Sequence, residues 1–232
     1  MRRIFIFLIL ITILASIFQL GRLIDRWHFV VPADSNDLLY ATTFEDENDA
    51  WEQYEGLSAA QVTDNTIRLA ANSTSRGESS FYSAVSPYFS DFDIQVDARV
   101  INGVFDGLND NGYGIVFRQR DRQNFYVFFV SSDGTYRLKR VLDNSTKDIS
   151  TWLPSDAINQ EIGAINTLRV IGYEDRFRFF INGEQVMLCV PENPDGLSTI
   201  DFDGSCMGNM VDTLVDDSHS FGRVGVAIEG AI

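Results

Sequence analysis

Hydrophobic and polar residues divide the chain into one apolar N-terminal run and a long body of short alternating segments. Residues 4–18 are apolar apart from Thr12 and Ser16, and Arg2 and Arg3 precede them. A basic flank followed by a hydrophobic run is typical of a segment recognised by the translocon. The run is close to the lower limit of ~17 residues that can span a bilayer as a helix.

The end of this run decides between an anchor and a removable signal peptide. No good small-x-small triplet follows the run, so we expect residues 1–22 to stay as an uncleaved signal anchor rather than a cleaved signal. A buried core helix is disfavoured because the run has no polar face. Residues 23–37 then form a juxtamembrane linker and residues 38–232 a domain outside the cytoplasm. The expected location is the cell membrane, with a single pass.

From residue 38 onward the chain shows strand patterns and almost no helical ones. Runs of β-branched and aromatic residues alternate with polar residues and end at turn residues. Asp133-Gly134 and Asn182-Gly183 stand between apolar runs, which is typical of β-hairpins. Residues 113–142 and 166–190 are therefore predicted to form two three-stranded meanders. The predicted strands are Leu38–Phe44, Thr66–Ala71, Ser80–Ser86, Phe92–Ile101, Tyr113–Arg120, Asn124–Ser131, Thr135–Leu142, Asn166–Tyr173, Arg176–Ile181, Gln185–Val190 and Gly222–Ile228.

Composition and charge add three constraints. Hydrophobic residues make up 45% of the 232 residues, which is enough to fill a core, and the 12% of aromatic residues favours strands. The formal net charge of -15 repels phosphate backbones and argues against nucleic acid as a partner. Outside the cytoplasm, Cys189 and Cys206 would pair as a disulfide worth ~3 kcal/mol. Two unpaired buried thiols are the alternative.

Several blocks of the body resemble a known family of folds. The blocks are Gly112-Tyr-Gly-Ile-Val-Phe-Arg118, Ser132-Asp-Gly-Thr-Tyr136, Asn166-Thr-Leu-Arg-Val170, Phe179-Phe-Ile-Asn-Gly183 and Phe221-Gly-Arg-Val-Gly225. They resemble the laminin-G-like and concanavalin A-like jelly rolls, most of all the bacterial group of family 16 glycoside hydrolase-like and 3-keto-disaccharide hydrolase domains. The resemblance implies an all-β sandwich of two antiparallel sheets. Related domains end in a closing strand that pairs with the first, whereas this sequence stops at Ile232. Either the closing strand is missing, which would leave the first strand at an edge, or the chain is a truncated product.

This scaffold hosts lectins, hydrolases and adhesive modules, so the resemblance does not choose among them. Retaining glycosidases of this fold carry two carboxylates about 5 Å apart on one strand. The run from Glu47 to Glu52 matches that spacing, but it lies in a polar stretch typical of a turn. His28 and His219 lie away from the matched blocks, and a structural zinc site is not expected. The sequence favours a domain without catalysis of its own.

The resemblance and the residue types indicate carbohydrate binding, in which aromatic faces stack on sugar rings while charged groups bond the hydroxyls. In a strand, Arg137 and Lys139 share one face, and Tyr136, Leu138 and Arg140 share the other. The alternative interpretation places the tyrosines in the core and pairs Arg118 with a nearby carboxylate. The candidate binding residues are Arg118, Tyr126, Arg137, Arg140 and Trp152.

The expected partner is a glycan or cell-surface polysaccharide, with membrane contact through the N-terminal segment only. No motif demands a cofactor. Calcium has two candidate loops, residues 106–111 and Asp201-Phe202-Asp203, and neither matches an EF-hand. Sequons at Asn72 and Asn144 accept glycans only in a eukaryotic secretory route. A glycoside or 3-keto-glycoside hydrolase and a structural or protein-interaction domain remain alternative functions.

Overall fold

The structure is a computed structural model that describes residues 16, 30–31, 34, 36–45, 50–56, 58–71, 80–102 and 112–229. Apart from Ser16, the predicted anchor (residues 1–22) lies outside the described residues, and so does most of the predicted linker. No helix in the described part of the chain is long and apolar enough to span a membrane.

Fifteen β-strands are present in the described ranges, which confirms the predicted all-β class. They are β1 (Ser58–Thr63), β2 (Thr66–Ala71), β3 (Ser80–Ala84), β4 (Phe92–Ala98), β5 (Gly112–Asp121), β6 (Asn124–Ser131), β7 (Thr135–Leu142), β8 (Ser145–Pro154), β9 (Asn166–Tyr173), β10 (Arg176–Ile181), β11 (Glu184–Val186), β12 (Leu188–Val190), β13 (Asn209–Val211), β14 (Leu214–Val215) and β15 (Arg223–Glu229).

Two antiparallel sheets form the body of the domain. The larger has six strands in the order β3-β15-β5-β6-β7-β8, and the smaller runs β11-β10-β9-β4 with β14 added beside β10. The predicted meander over residues 113–142 is present as β5-β6-β7, and the second is present as β9-β10-β11. The predicted strand Gln185–Val190 is wrong in its extent, because β11 ends at Val186 and Leu188–Val190 forms β12, which pairs with β13 in a separate sheet. The hairpins β1-β2 and β12-β13 form separate two-stranded sheets.

Aromatic side chains join the two sheets in the core. The ring of Phe117 on β5 lies 5.3 Å from that of Phe177 on β10, and Phe128 on β6 lies 5.0 Å from Phe179. All four are fully buried. Alternation along β5, β6 and β7 sends every second side chain into this core, which leaves the remaining residues on the outer face of the six-stranded sheet.

The predicted strand Leu38–Phe44 is wrong, because this segment forms no strand. Phe44 has a φ of 55°, a left-handed conformation that ends extended pairing, and its N–H donates to Thr42 Oγ1. The segment still contributes to the core: the rings of Phe44 and Trp51 lie 5.5 Å apart, and Trp51 Nε1 donates to the hydroxyl of Tyr40. The edge strand beside β15 is β3 instead.

A disulfide joins Cys189 on β12 to Cys206, as predicted, with the two Cα atoms 5.5 Å apart. It closes a loop beside the edge strand β8. The hydroxyl of Ser150 accepts the N–H of Cys189, and that of Ser198 accepts the N–H of Thr151. The loop is thereby bonded to the edge of the larger sheet.

Candidate functional site

The five predicted binding residues do not form one site. Tyr126 and Arg140 point into the sandwich and meet at Asp216, while Arg118 is buried at a bulge nearby. Arg137 and Trp152 lie together on the outer face of the six-stranded sheet.

Arg118 is a core residue with 1% exposure. The pairing of β5 with β6 shifts register after Phe117, and Arg118 has a φ of 51°. The side chains of Phe117 and Arg118, although adjacent in sequence, therefore both turn inward. The guanidinium donates to the carbonyl oxygens of Glu174 and His219, at 2.8 and 3.2 Å, and lies 5.2 Å from the ring centroid of Phe177. Burial lowers the pKa of Arg118. This side chain offers no surface to a ligand.

Tyr126 and Arg140 converge on the carboxylate of Asp216. The phenol of Tyr126, fully buried, donates at 2.6 Å, and the guanidinium of Arg140 donates at 2.7 Å. Burial raises the pKa of Tyr126 and also acts to raise that of Asp216, but hydrogen bonds from Ser218 and Tyr126 outweigh burial and hold the pKa of Asp216 below its usual value. The cluster ties the 216–219 segment to the sheet.

His219 belongs to the same structural region and is 2% exposed. Its ring packs edge-on against Tyr126 with centroids 5.1 Å apart, and Nε2 lies 3.0 Å from the carbonyl oxygen of Val141. Burial lowers the pKa of His219, while the Val141 carbonyl acts in the opposite direction. These contacts indicate a packing role.

The outer face of the six-stranded sheet carries the second group of predicted residues. Register places Ala227 opposite Gly114, Gly114 opposite Phe129, and Phe129 opposite Arg137, so these positions form a row across four strands. The ring of Phe129 lies close to Gly112, where a Cβ atom would approach Phe129 Cδ1 to 3.1 Å. The apolar residues of this face are Val116, Phe125, Val127, Phe129 and Ala227, with Val141 and Trp152 packed beside them.

Arg137 lies between two aromatic rings on this face. Its guanidinium carbon is 4.5 Å from the ring centroid of Trp152 and 5.8 Å from that of Phe129. Arg137 is buried and Trp152 partly exposed. A cation over the face of an indole is a cation–π contact, which helps to hold the ring in place, and Trp152 keeps part of its surface in contact with solvent.

Charged groups complete the cluster around Arg137. The carboxylate of Glu229 on β15 pairs with both Arg137 and Lys139, so the two cations share one face of β7 as alternation predicted. Asp148 on β8 lies 3.8 Å from Arg137, and its side chain is 37% exposed. Among the described residues, two carboxylates therefore lie beside the two cations. We call Trp152, Arg137 and Asp148, with Lys139 and Glu229, the Trp152 cluster.

Sequence reasoning missed Glu229 and Asp148. Glu229 lies 92 positions from Arg137 along the chain, and only the pairing of β15 with β5 brings it near. The one indication of its role in the sequence was that Glu229 is an acidic residue at the end of an otherwise apolar strand. Asp148 lies on β8, whose polar composition does not fit a strand pattern.

The candidate calcium loop at Asp201-Phe202-Asp203 folds as a tight turn. Asp203 Oδ1 accepts the N–H of Ser205, and Asp201 Oδ1 accepts the N–H of Phe202. In the described part of the chain, no group of three His, Cys, Asp or Glu residues is placed to hold a metal ion. The other candidate loop, residues 106–111, lies outside the described residues, and calcium binding stays a prediction.

The carboxylate run that matches the glycosidase spacing is only partly described. Glu52 pairs with Arg223 at the start of β15, and Glu47 and Asp49 lie outside the described residues. The ion pair gives Glu52 a structural partner. A shallow open concavity of about 510 Å³ lies nearby and is lined by Gln53, Tyr54, Glu55 and residues 60–63 at the end of β1.

Comparison with known proteins supports the fold. No protein-family model matches the sequence, and no curated protein does. Among solved structures, the chain is similar to the carbohydrate-binding module CBM66 from Bacillus subtilis, with a TM-score of 0.52 and 16% identity over 78% of this chain and 89% of that chain. At this identity the similarity shows the fold alone, and it confirms the jelly roll.

Two further solved structures are also similar to this chain. A Bacillus subtilis protein of unknown function with a galectin-like fold has a TM-score of 0.47 and 11% identity, covering 82% of this chain and 89% of its own. The exoplasmic/lumenal domain of VIP36, in a Ca²⁺- and mannose-bound form, has a TM-score of 0.42 and 11% identity, covering 78% and 82%. The structural neighbours are carbohydrate-binding and lectin-like modules, with some glycosyl hydrolases.

Proposed function

We propose that this domain binds carbohydrate on the outer face of the six-stranded sheet, with Trp152 as the platform for a sugar ring. The observation that carries the proposal is the stacking of the partly exposed Trp152 indole on the buried guanidinium of Arg137. An aromatic ring held rigidly at a surface supplies contact area with little loss of side-chain freedom on binding. The similarity in fold to a carbohydrate-binding module supports carbohydrate binding as the general function.

The neighbouring groups support a polar ligand that carries no net charge. Asp148 is exposed enough to accept hydrogen bonds from hydroxyl groups, and it lies beside Arg137. Because Glu229 already pairs with Arg137 and Lys139, the cluster presents no excess of positive charge to an anion. Arg118 and Tyr126 are left out of this proposal because their side chains are buried in the core.

Affinity electrophoresis of the full chain tests the proposal. The gels contain neutral polysaccharides (galactan, mannan, xylan) or acidic ones (pectin, alginate). We expect at least one neutral polysaccharide to retard the protein, and Trp152→Ala to weaken this retardation about tenfold or more. Tyr173→Ala is the matched control, since Tyr173 is an exposed aromatic residue on the other sheet with 60% exposure. Absence of retardation by every polysaccharide, or equal effects of both variants, would overturn the proposal.

We also propose that residues 1–22 tether the domain to a membrane with its body outside the cytoplasm. The basic flank, the apolar run and the lack of a good cleavage triplet support this assignment. Extraction of membranes with alkaline carbonate tests it, combined with protease added to intact cells. An anchored domain stays in the pellet and is digested from outside; release into the supernatant would contradict it.

A further inference from the structure

Exposed apolar side chains are concentrated around the disulfide. Of the thirteen large apolar residues that are exposed in the described part of the chain, six lie between positions 187 and 210. They are Met187, Leu197, Ile200, Phe202, Met207 and Met210, and we call them the Met210 patch. Single apolar residues are ordinary on a protein surface, whereas a group that lies together is typical of an interaction site.

Backbone pairing brings this group together. Met210 on β13 lies directly opposite Cys189 on β12, so the two side chains share one face of the hairpin. Ile200 forms a bridge with Cys206, and Met207 is the next residue. The other three members lie within three positions of Cys189 or Ile200 in the sequence. Because the disulfide joins Cys189 to Cys206, the patch surrounds it.

Hydrogen bonds hold the backbone under the patch in one shape. The hydroxyl of Ser198 donates to the carbonyl oxygen of Cys189 and accepts the N–H of Thr151. Near the tip of the loop, the N–H of Asp201 donates to the carbonyl oxygen of Ser205, at 2.8 Å. A surface that is already ordered loses little conformational freedom when a partner docks.

Methionine supplies half of the patch. Three of the four methionines of the chain belong to it, with exposures of 42% at Met187, 66% at Met207 and 45% at Met210. The methionine side chain is unbranched and polarizable, so a surface rich in methionine adapts to the shape of an apolar partner. An ordered backbone with adaptable side chains suits the apolar face of another protein.

The charge around the patch is negative. From residue 179 to residue 222 the sequence has no lysine and no arginine. The exposed carboxylates beside the patch are those of Glu192, Asp195, Asp201 and Asp203. Within the described ranges none of the four forms an ion pair, and Lys147 of β8 bonds instead to the carbonyl oxygen of Pro194. Such a surface attracts a cationic partner and repels anionic lipid.

A smaller exposed apolar group elsewhere lacks this combination. Ile162 and Ile165 are exposed, and the N–H of Gly163 between them donates to the carbonyl oxygen of Val100, next to exposed Ile101. This group contains no methionine, and the exposed residue Arg99 is two positions before Ile101. Within the described ranges, the Met210 patch is thus distinguished by its methionines and its negative surroundings.

We propose that the Met210 patch binds a segment of another protein that carries apolar and cationic side chains on one face. The apolar side chains of the segment pack against the methionines and Phe202. Its lysines or arginines pair with the carboxylates beside the loop, which fixes the orientation of the complex. This inference does not depend on carbohydrate binding.

Fluorescence anisotropy of labelled peptides tests the proposal, with the full chain held in phosphatidylcholine nanodiscs and empty discs as the blank. One peptide repeats leucine and lysine with a helical period, and a second alternates them as in a strand. Oligolysine with the same number of lysines has no apolar face. We expect at least one Leu–Lys peptide to bind with a Kd below about 100 µM and about tenfold more tightly than oligolysine.

Paired variants locate the contact. Met207→Ser with Met210→Ser should weaken peptide binding about tenfold. Asp201→Asn with Asp203→Asn should also weaken it, and asparagine keeps the oxygen atoms that accept N–H groups in the turn. Ile162→Ser with Ile165→Ser is the matched control and should change nothing. The proposal is overturned if neither Leu–Lys peptide binds, if oligolysine binds equally well, or if the control weakens binding as much.

Two further measurements separate this proposal from its neighbours. Trp152→Ala should weaken retardation by polysaccharide and leave peptide binding unchanged, so the two proposals can fail independently. The protein-loaded discs are also mixed with phosphatidylglycerol vesicles, and we expect no co-flotation. Co-flotation that Met207→Ser with Met210→Ser abolishes would assign the patch to a lipid surface and overturn the proposal.

Discussion

The guanidinium carbon of Arg137 lies 4.5 Å from the ring centroid of Trp152, and the same guanidinium pairs with the carboxylate of Glu229. Arg137 therefore has two tasks: it supports the proposed sugar platform and it neutralises a buried carboxylate. The stability of the outer face and its binding capacity should depend on the same side chain.

Replacing Arg137 by Met should lower the free energy of unfolding by about 3 kcal/mol, because buried Glu229 then loses one of the two cations that it pairs with among the described residues. Urea denaturation measures the loss. Arg169→Met is the matched control: Arg169 pairs with Asp93 and lies 5.4 Å from the Phe180 ring, but this ion pair is exposed. Its loss should stay below about 1 kcal/mol. Equal losses for the two variants would contradict the assigned burial.

The stability of the domain should fall between pH 7.5 and pH 5.5 because of His219. Burial lowers the pKa of this residue in the folded state, so the unfolded chain binds the proton more readily below about pH 6.5. The unfolding free energy then declines with falling pH by at most about 1.4 kcal/mol per pH unit. Urea titrations of His219→Gln should lack this contribution, whereas His28→Gln should keep it.

Tyr126→Phe should lower the unfolding free energy by about 1–2 kcal/mol at pH 7, since it removes the hydroxyl that donates to buried Asp216. The loss should shrink in acid as Asp216 takes up a proton, because its folded pKa lies below the usual value and its stabilising contacts are lost as pH falls through it. Chemical denaturation at pH 7 and pH 3 measures both effects. Tyr173→Phe, at an exposed position, should change neither.

Removal of the disulfide by Cys189→Ser and Cys206→Ser together should lower the unfolding free energy by about 3 kcal/mol, as expected for a loop of sequence separation 17. Thermal unfolding with and without a reducing agent measures the change. The reducing agent should destabilise the wild type and leave the double variant unaffected. An unchanged midpoint for reduced wild type would show that the bridge contributes nothing.

The sequence predicted the strands that carry strong apolar alternation. The bounds of β2, β6, β7, β9 and β10 agree with the predictions. The strand β8 (Ser145–Pro154) was missed, because it is an edge strand with polar residues and two register shifts against β7. An edge strand needs no continuous apolar face, so the alternation that reveals central strands is weak there.

The candidate site was predictable only in part. Alternation correctly separated Arg137 from Arg140, but it cannot tell which face of a strand meets the second sheet. At the bulge that turns Arg118 inward, the backbone of Gly222 packs directly against the backbone of Arg118. A Cβ atom at Gly222 would come within 2.2 Å of the Arg118 carbonyl carbon. Gly222 and Arg118 are about a hundred positions apart in the sequence, so no local sequence pattern predicts this contact.

The hydrogen bonds from the disulfide loop to Ser150 and Thr151 have a consequence for solubility. The hydroxyl of Ser198 accepts the backbone N–H of Thr151, a group on the outer edge of β8 that would otherwise be open to pairing with a strand of another chain, and Cys189 is hydrogen-bonded to the Ser150 hydroxyl beside it. Detachment of the loop would expose this edge next to the apolar outer face. We therefore expect the disulfide, by keeping the loop on this edge, to slow aggregation by strand addition, an effect that its contribution to the free energy of unfolding does not measure.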